Sequence, residues 1–245
     1  MLKILFLGSN LQSYRCFKYL IENFKNIEIV AVSPHNSHVE IREDQDVLAL
    51  AKKHNIEIIK YEDIPYKKFD LGISLLYDKV LGADVLDIPS KGFINCHLGP
   101  LPRFRGSNSV LHAILLARKE NNWKFGVTLH YMAKQVDTGP IIELLEIPIF
   151  EDDTSYSLYN RSFDKVYDLF VNNITKIIES RDRVASYAQT GPYHMFKKGK
   201  IDHYIDLNLP EIEIYDKIRA LTFPGKPRPF TIIGNKKIFL TIDEK

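Results

Sequence analysis

Short unbroken apolar runs alternate with segments of helical period through the first 180 or so residues, and this alternation restricts the fold more than any other feature. "KILFLG" (3–8), "IEIVAVS" (27–33), "IEIIK" (56–60), "LGISLL" (71–76) and "GFINCH" (92–97) are the runs. A strand with no polar alternation is one covered on both faces. Between the runs, Tyr14 to Phe24 carries Phe17, Leu20, Ile21 and Phe24 at helical spacing, and a second helix is expected over Asp46 to His54. Strand, helix, strand in repetition predicts right-handed crossovers, hence an α/β fold with a mostly parallel twisted sheet and helices on both faces. A helix over Ser107 to Arg118 follows, with Ser107 or Asn108 as its cap, then strands "FGVTLHYM" (125–132) and "GPIIELLEIPI" (139–149) and a long helix from Ser155 to Arg181.

After that helix the character changes. "TGPYHMFKKGKIDHYIDLNLP" is polar and punctuated by Gly and Pro, so a boundary is expected near 185. The division is 1–185 as the main domain and 186–245 as a small C-terminal region. That region holds a helical pattern at "EIEIYDKIRAL" and two apolar runs joined by Gly234 and Asn235, a hairpin signal. The edge of this hairpin is a candidate for pairing across a homodimer.

Composition narrows the class. At 245 residues, 45% hydrophobic and 26% charged, the chain has the proportions of a soluble globular protein. A net charge of +2 argues against an extensive nucleic-acid face, although Lys197, Lys198 and Lys200 form a local cluster able to meet an anion. The two cysteines, Cys16 and Cys96, belong to no CxxC pair, so neither a disulfide framework nor a thiolate metal site is expected. The beginning "MLKILFLGSN" lacks a basic leader and reads as a first strand, and no apolar run approaches the roughly 20 residues of a membrane span. The expected setting is cytoplasmic. His35, His38, His112 and His130 lack the regular spacing of metal ligands, and His130 reads most simply as a core histidine with a hydrogen-bond partner.

Chemistry concentrates in "GFINCHLGPLPRFRG". In an open parallel sheet, ligands bind at the carboxyl ends of the strands. Alternation puts Asn95 and His97 on one face at such an end, with Cys96 opposite. An amide can donate to an oxygen that becomes negative, and an imidazole can do the same or move a proton. Asp137, where "AKQVDTG" turns between two strands, is the candidate carboxylate to orient the ring and relay a proton. These residue types suit attack of an amine on a carbonyl carbon. The plainer alternative is that Asn95 and His97 cap backbone groups and Asp137 is a turn residue.

"FINCHLGPLPRFRG" followed by "FGVTLHYMAKQVDTGPII" resembles the folate-dependent formyltransferases: an Asn-x-His strand end, a Leu-Pro-x-x-x-Gly loop, and a later His-x-x-x-x-x-x-Asp-x-Gly. The resemblance covers about residues 1–180. It implies a Rossmann-like domain, 10-formyltetrahydrofolate as formyl donor, no metal, and Asn95, His97 and Asp137 as the catalytic three. Many relatives have Ser where this chain has Gly99, in "HLGPLP". The loop "LLYDKVLGADVL" corresponds to the family's folate-side loop, with Tyr77, Asp78, Val80 and Leu81 as binding candidates.

Three branches compete. Methionyl-tRNA formyltransferases share the "LPRFRG" loop but carry a sizeable C-terminal barrel, for which about 60 residues after 185 leave little room. Glycinamide ribonucleotide formyltransferases share "FGVTLHYM" and "VDTGPII" but usually end near the first domain. Sugar-nucleotide N-formyltransferases, with a short tail, fit better, and "KIRALTFPGKPRPFTIIGNKKIFL" looks like their tail. The implied partner is a nucleotide-linked amino sugar, a dTDP-4-amino-4,6-dideoxyhexose, made for surface polysaccharide. Lys79 and Arg105 are candidates for its diphosphate, Asn160 and Arg161 for phosphate at the start of the long helix, and Phe223 for its base or sugar. Surface charge and core packing are the alternatives for these five. A non-catalytic nucleotide-binding module on the same fold is the rival of another class.

Overall fold

The computed structural model describes residues 1–32, 46–77, 79–197 and 199–242. Asp78, Lys198, His35 and His38 lie outside the described residues. The expected strands form one seven-stranded sheet in the order β3-β2-β1-β4-β5-β7-β8. They are β1 (Leu2–Gly8), β2 (Ile27–Val32), β3 (Glu57–Ile59), β4 (Leu71–Leu75), β5 (Phe93–His97), β7 (Lys124–Tyr131) and β8 (Ile141–Pro148). The first five run parallel, and β7 and β8 return antiparallel at one edge. This is an α/β, Rossmann-like sheet, and the order reverses beside β1 and β4, where ligands of open sheets bind.

The unbroken apolar runs are explained by two cores. Ile4 and Phe6 of β1 face one way, onto Phe17 and Leu20 of α1 (Leu11–Asn23) and Leu169 and Phe170 of α5 (Ser155–Glu179). Leu5 and Leu7 face the other way, onto Ile64, Phe69 and Val85. Each fully buried side chain of this kind stabilises by about 1.5–3 kcal/mol relative to exposure. Side-chain oxygens begin three helices: Asn10 accepts from the Ser13 N–H before α1, Asp46 from Leu48 before α2 (Val47–Lys53), and Thr154 from Ser157 before α5. The helix expected from Ser107 is α4 (Ser109–Ala117). Its cap position is Asn108 at φ 58°, and no side-chain hydrogen bond is made there.

The far end of α5 is closed from outside the helix. Lys91, only 6% exposed, sends its Nζ to the carbonyls of Ile177 at 2.5 Å and Ser180 at 2.7 Å. A cation donating to the last carbonyls answers both their missing partners and the helix dipole. Lys91→Met keeps the bulk and removes the donors, so we expect a loss of about 2 kcal/mol, read as a lower urea midpoint with unchanged slope.

Four short elements escaped the sequence reading: a 3-10 helix (Tyr61–Tyr66), α3 (Ala83–Leu86), β6 (Phe104–Gly106) and β9 (His194–Phe196), the last two paired in parallel. Gly106 permits that pairing. Its φ is +88°, and a Cβ there would lie 2.1 Å from the Phe196 carbonyl oxygen. The tail then docks through α6 (Glu211–Leu221). The Arg219 side chain is fully buried, its Nε on Asp216 at 2.8 Å and Nη1 on the Asp153 carbonyl at 3.0 Å, and Ser155 donates to the Ala220 carbonyl at 2.5 Å. The expected hairpin is β10 (Phe230–Ile233) with β11 (Lys236–Phe239), turning at Gly234 and Asn235. No helix of the described residues is long and apolar enough to cross a membrane.

Candidate active site

Beyond the carboxyl ends of β4 and β5 opens a cavity of about 830 Å³. Asn95, His97, His130 and Asp137 line it together, brought there by β5, β7 and the turn after β7. The hydrogen bonds fix what each ring presents. His97 Nε2 lies 2.6 Å from the Phe104 carbonyl oxygen, which only accepts, so Nε2 carries a hydrogen and Nδ1 faces Asp137 Oδ2 at 3.5 Å. By the same reasoning His130 Nδ1 donates to its neighbour's carbonyl, that of Tyr131, at 2.8 Å. Its Nε2 is then an acceptor, and the Asn95 amide donates to it at 3.2 Å. One hydrogen of the Asn95 amide is thus engaged, and a second remains for a ligand.

Asp137 is held from several sides. Its Oδ2 accepts the Gly106 N–H at 2.8 Å, and its backbone takes φ 55°, a left-handed conformation that Asp tolerates. Gly139, two residues on, is compelled by space: a Cβ would stand 1.8 Å from the Tyr131 carbonyl oxygen. Gln189, from the segment after α5, donates to the carbonyls of Asp137 at 2.9 Å and Gly139 at 2.7 Å. Its own Oε1 receives Arg105 twice, at 3.0 and 2.7 Å. Thr128, fully buried opposite His97 in the β5–β7 register, fixes the following turn by donating to the Gly99 carbonyl at 2.7 Å and accepting from the Leu101 N–H at 3.1 Å. Gly99 abuts the ring itself. A Cβ there would meet His97 Nε2 at 2.8 Å and the Phe104 carbonyl at 3.1 Å, so the turn as built has no room for the serine of many relatives.

The remaining candidates divide. Tyr77, Lys79, Val80, Leu81 and Phe223 line the cavity, and Asp78 lies outside the described residues. Leu81 is buried at the base of its loop while Val80 is 72% exposed, and the Lys79 ammonium rests over the Tyr61 ring at 3.5 Å. Phe223 stands edge-on to Tyr156 and Tyr159. Arg105, Asn160 and Arg161 do not line the cavity. The Arg105 guanidinium is taken by Gln189 and lies over Tyr193 at 4.5 Å; Arg161 forks onto Asp153 at 2.8 and 2.6 Å beneath the Phe150 ring. Asn160 is exposed on the helix. The Cys96 thiol, pushed up to about 12 by burial, is a neutral part of the lining. Among the described residues no three His, Cys, Asp or Glu side chains are grouped to hold a metal ion.

His130, Thr128 and Gln189 were not read as site residues. His130 stands in the His-x-x-x-x-x-x-Asp-x-Gly motif itself, and the missing information was the register that sets it opposite Asn95. Burial lowers its imidazole to about 4, against a raising effect from Asp137; burial also lowers His112 to about 4. An unfolded chain titrates these groups near 6.5. Between about pH 6.5 and 4 the unfolded state therefore binds protons the native state refuses, and stability falls as pH falls through that window while staying complete above it. Urea midpoints at pH 7 and pH 5 check this; a higher midpoint at pH 5 would contradict it.

An open α/β sheet that gathers an amide, two imidazoles and a carboxylate at one side of a roomy cavity has the donors and the proton acceptor that a group-transfer enzyme needs. The sequence model of the formyl transferase family matches residues 3–174, and the chain belongs to that family. A methionyl-tRNA formyltransferase of Geobacillus sp. (strain WCH70) is 30% identical in a gapped alignment 253 positions long that covers 96% of this chain and 76% of that protein. The bifunctional polymyxin resistance protein ArnA of Wigglesworthia glossinidia brevipalpis is 34% identical over 194 residues, 76% of this chain but only 28% of that protein. Among solved structures, an N-formyltransferase from Helicobacter canadensis in complex with folinic acid and dTDP-3-aminofucose superposes with a TM-score of 0.78 at 26% identity, covering 97% of this chain and 86% of that one.

Proposed function

We propose that the protein transfers the formyl group of 10-formyltetrahydrofolate to the amine of a nucleotide-linked amino sugar, a dTDP-4-amino-4,6-dideoxyhexose. The observation that carries this reading is the Asn95–His97–Asp137 cluster, open to a cavity whose other wall is built by tail residues Ile201, His203, Phe223 and Lys226. A solved relative bound to a folate and a dTDP-amino sugar superposes on this chain with a TM-score of 0.78, which supports the sugar branch.

In this reading residues 1–185 are the catalytic unit and 186–245 a small region that closes the cavity. The neutral amine attacks the formyl carbon. The free hydrogen of the Asn95 amide and a proton carried at His97 Nδ1 meet the developing oxyanion. Asp137, facing Nδ1, takes up the proton lost by the amine and gives it to the folate nitrogen as the bond from that nitrogen to the formyl carbon breaks. His130 acts on Asn95, fixing the plane of its amide. Tyr77, Val80 and Leu81 offer the pterin an apolar border. Ile232, Ile233, Ile238 and Phe239 stand exposed on the hairpin, which supports a homodimer across that face. A cytoplasmic enzyme serving surface polysaccharide is the corresponding setting.

The second reading, methionyl-tRNA formylation, is favoured by the 30% identity to a protein of that name. One panel separates the two. The purified chain is given 10-formyltetrahydrofolate with dTDP-linked 4-amino and 3-amino dideoxyhexoses, methionyl-tRNA and glycinamide ribonucleotide, and the products are weighed. A sugar nucleotide heavier by one carbonyl group supports the proposal; turnover of methionyl-tRNA or glycinamide ribonucleotide alone defeats it.

A further inference from the structure

A second hollow, of about 510 Å³, adjoins the reaction cavity and shares Asn108, Leu111, Gly199, Ile201 and Leu221 with it. It lies between α4, α6 and residues 195–197 and 199–202. Leu115 and Met195 give it an apolar side, and the Phe196 ring lies flat on His112, centroids 3.6 Å apart and planes within 6°. Because burial lowers His112 to about 4, that stack is uncharged near neutral pH. Lys197, Lys200 and Lys217 also line the hollow, and among the described residues none of the three has an ion-pair or hydrogen-bond partner. Among the described residues lining it, the single carboxylate is Asp202, which accepts the Tyr204 N–H at 2.9 Å. By contrast, Arg105 and Arg161 are already engaged, Lys134 is 3.5 Å from Asp87, and Lys79 covers Tyr61.

Three ammonium groups against one carboxylate, beside a neutral aromatic wall, match a ligand that joins phosphates to a flat heterocycle. The charges attract the phosphates and the ring faces take the base. We infer that this hollow receives the nucleoside diphosphate of the substrate, with Lys197, Lys200 and Lys217 on the phosphates and the Phe196–His112 stack toward the base. The sugar then enters the reaction cavity past Leu111 and Leu221. This rests on the reading of the substrate as a nucleotide-linked amino sugar, and it transfers the phosphate-binding role from Arg105 and Arg161 to cations of the tail and α6.

Thymidine 5′-diphosphate is the probe, titrated calorimetrically into the full chain and into the triple variant Lys197→Gln, Lys200→Gln, Lys217→Gln. Among the described residues the three lysines hold no partner, and folinic acid binding, expected unchanged, verifies that the variant is intact. Affinity for the diphosphate should fall by about 30-fold or more, and the wild-type affinity should weaken with added salt. Unchanged affinity in the triple variant, or a loss found instead in Lys79→Gln or Lys226→Gln, overturns the assignment and leaves the transferase reading standing. No diphosphate binding by a wild-type chain that still formylates some other amine overturns both.

Discussion

Asn95→Ala is expected to lower kcat by about 10²- to 10³-fold with little change in KM for either substrate, the pattern of a donor used chiefly in the transition state. The structure assigns that amide two tasks. One hydrogen goes to His130 Nε2 at 3.2 Å, leaving the other without a partner among the described residues, on a side chain that lines the cavity. Truncation removes the cavity-side donor and also strips a buried imidazole of its partner, which costs about 1–3 kcal/mol of stability. The two losses separate cleanly by experiment. Steady-state kinetics with each substrate reads the first, and a urea titration reads the second. A variant within a few-fold of wild-type kcat would remove Asn95 from the mechanism, whatever its stability.

Asp137→Asn should be more severe, about 10³-fold or more in kcat, because it removes charge while leaving shape. Asn adopts the same left-handed backbone at φ 55°, and its side-chain oxygen can still accept the Gly106 N–H. The variant is therefore expected to fold with wild-type stability and to bind folinic acid normally. It cannot take the proton that the attacking amine must shed, nor attract a proton on the ring 3.5 Å away. If kcat survives, the proton leaves by another route. Asp137→Ala is a useful companion, since it also drops the Gly106 bond; a stability loss confined to Ala would confirm that Asn preserved the loop.

The sheet was legible in the sequence because its runs are apolar on both faces, as β1 shows with Ile4 and Phe6 on one core and Leu5 and Leu7 on the other. The β6–β9 pair was not, since three-residue strands separated by some ninety residues leave no periodic trace. Asn95, His97 and Asp137 could be read from alternation and motif. His130 could not be assigned its bond, because strand register arises only when β7 is laid against β5. The partners of the arginines were hidden for a related reason. Position in the sequence reveals a guanidinium near the site, but not that Gln189 or Asp153 will engage it first.

Gln189 gives the clamp on Asp137 a consequence for how such chains can diverge. It lies beyond residue 174, where the family match ends, yet its side chain sets the backbone that aims the acid, and Tyr187 bridges to Ile141 beside it. A chimera joining this catalytic half to another relative's tail would inherit a foreign brace for its proton acceptor. Unless the donor tail carries a matching amide at that place, such a hybrid should fold and hold folate yet turn over slowly, and restoring the glutamine alone should recover much of the rate.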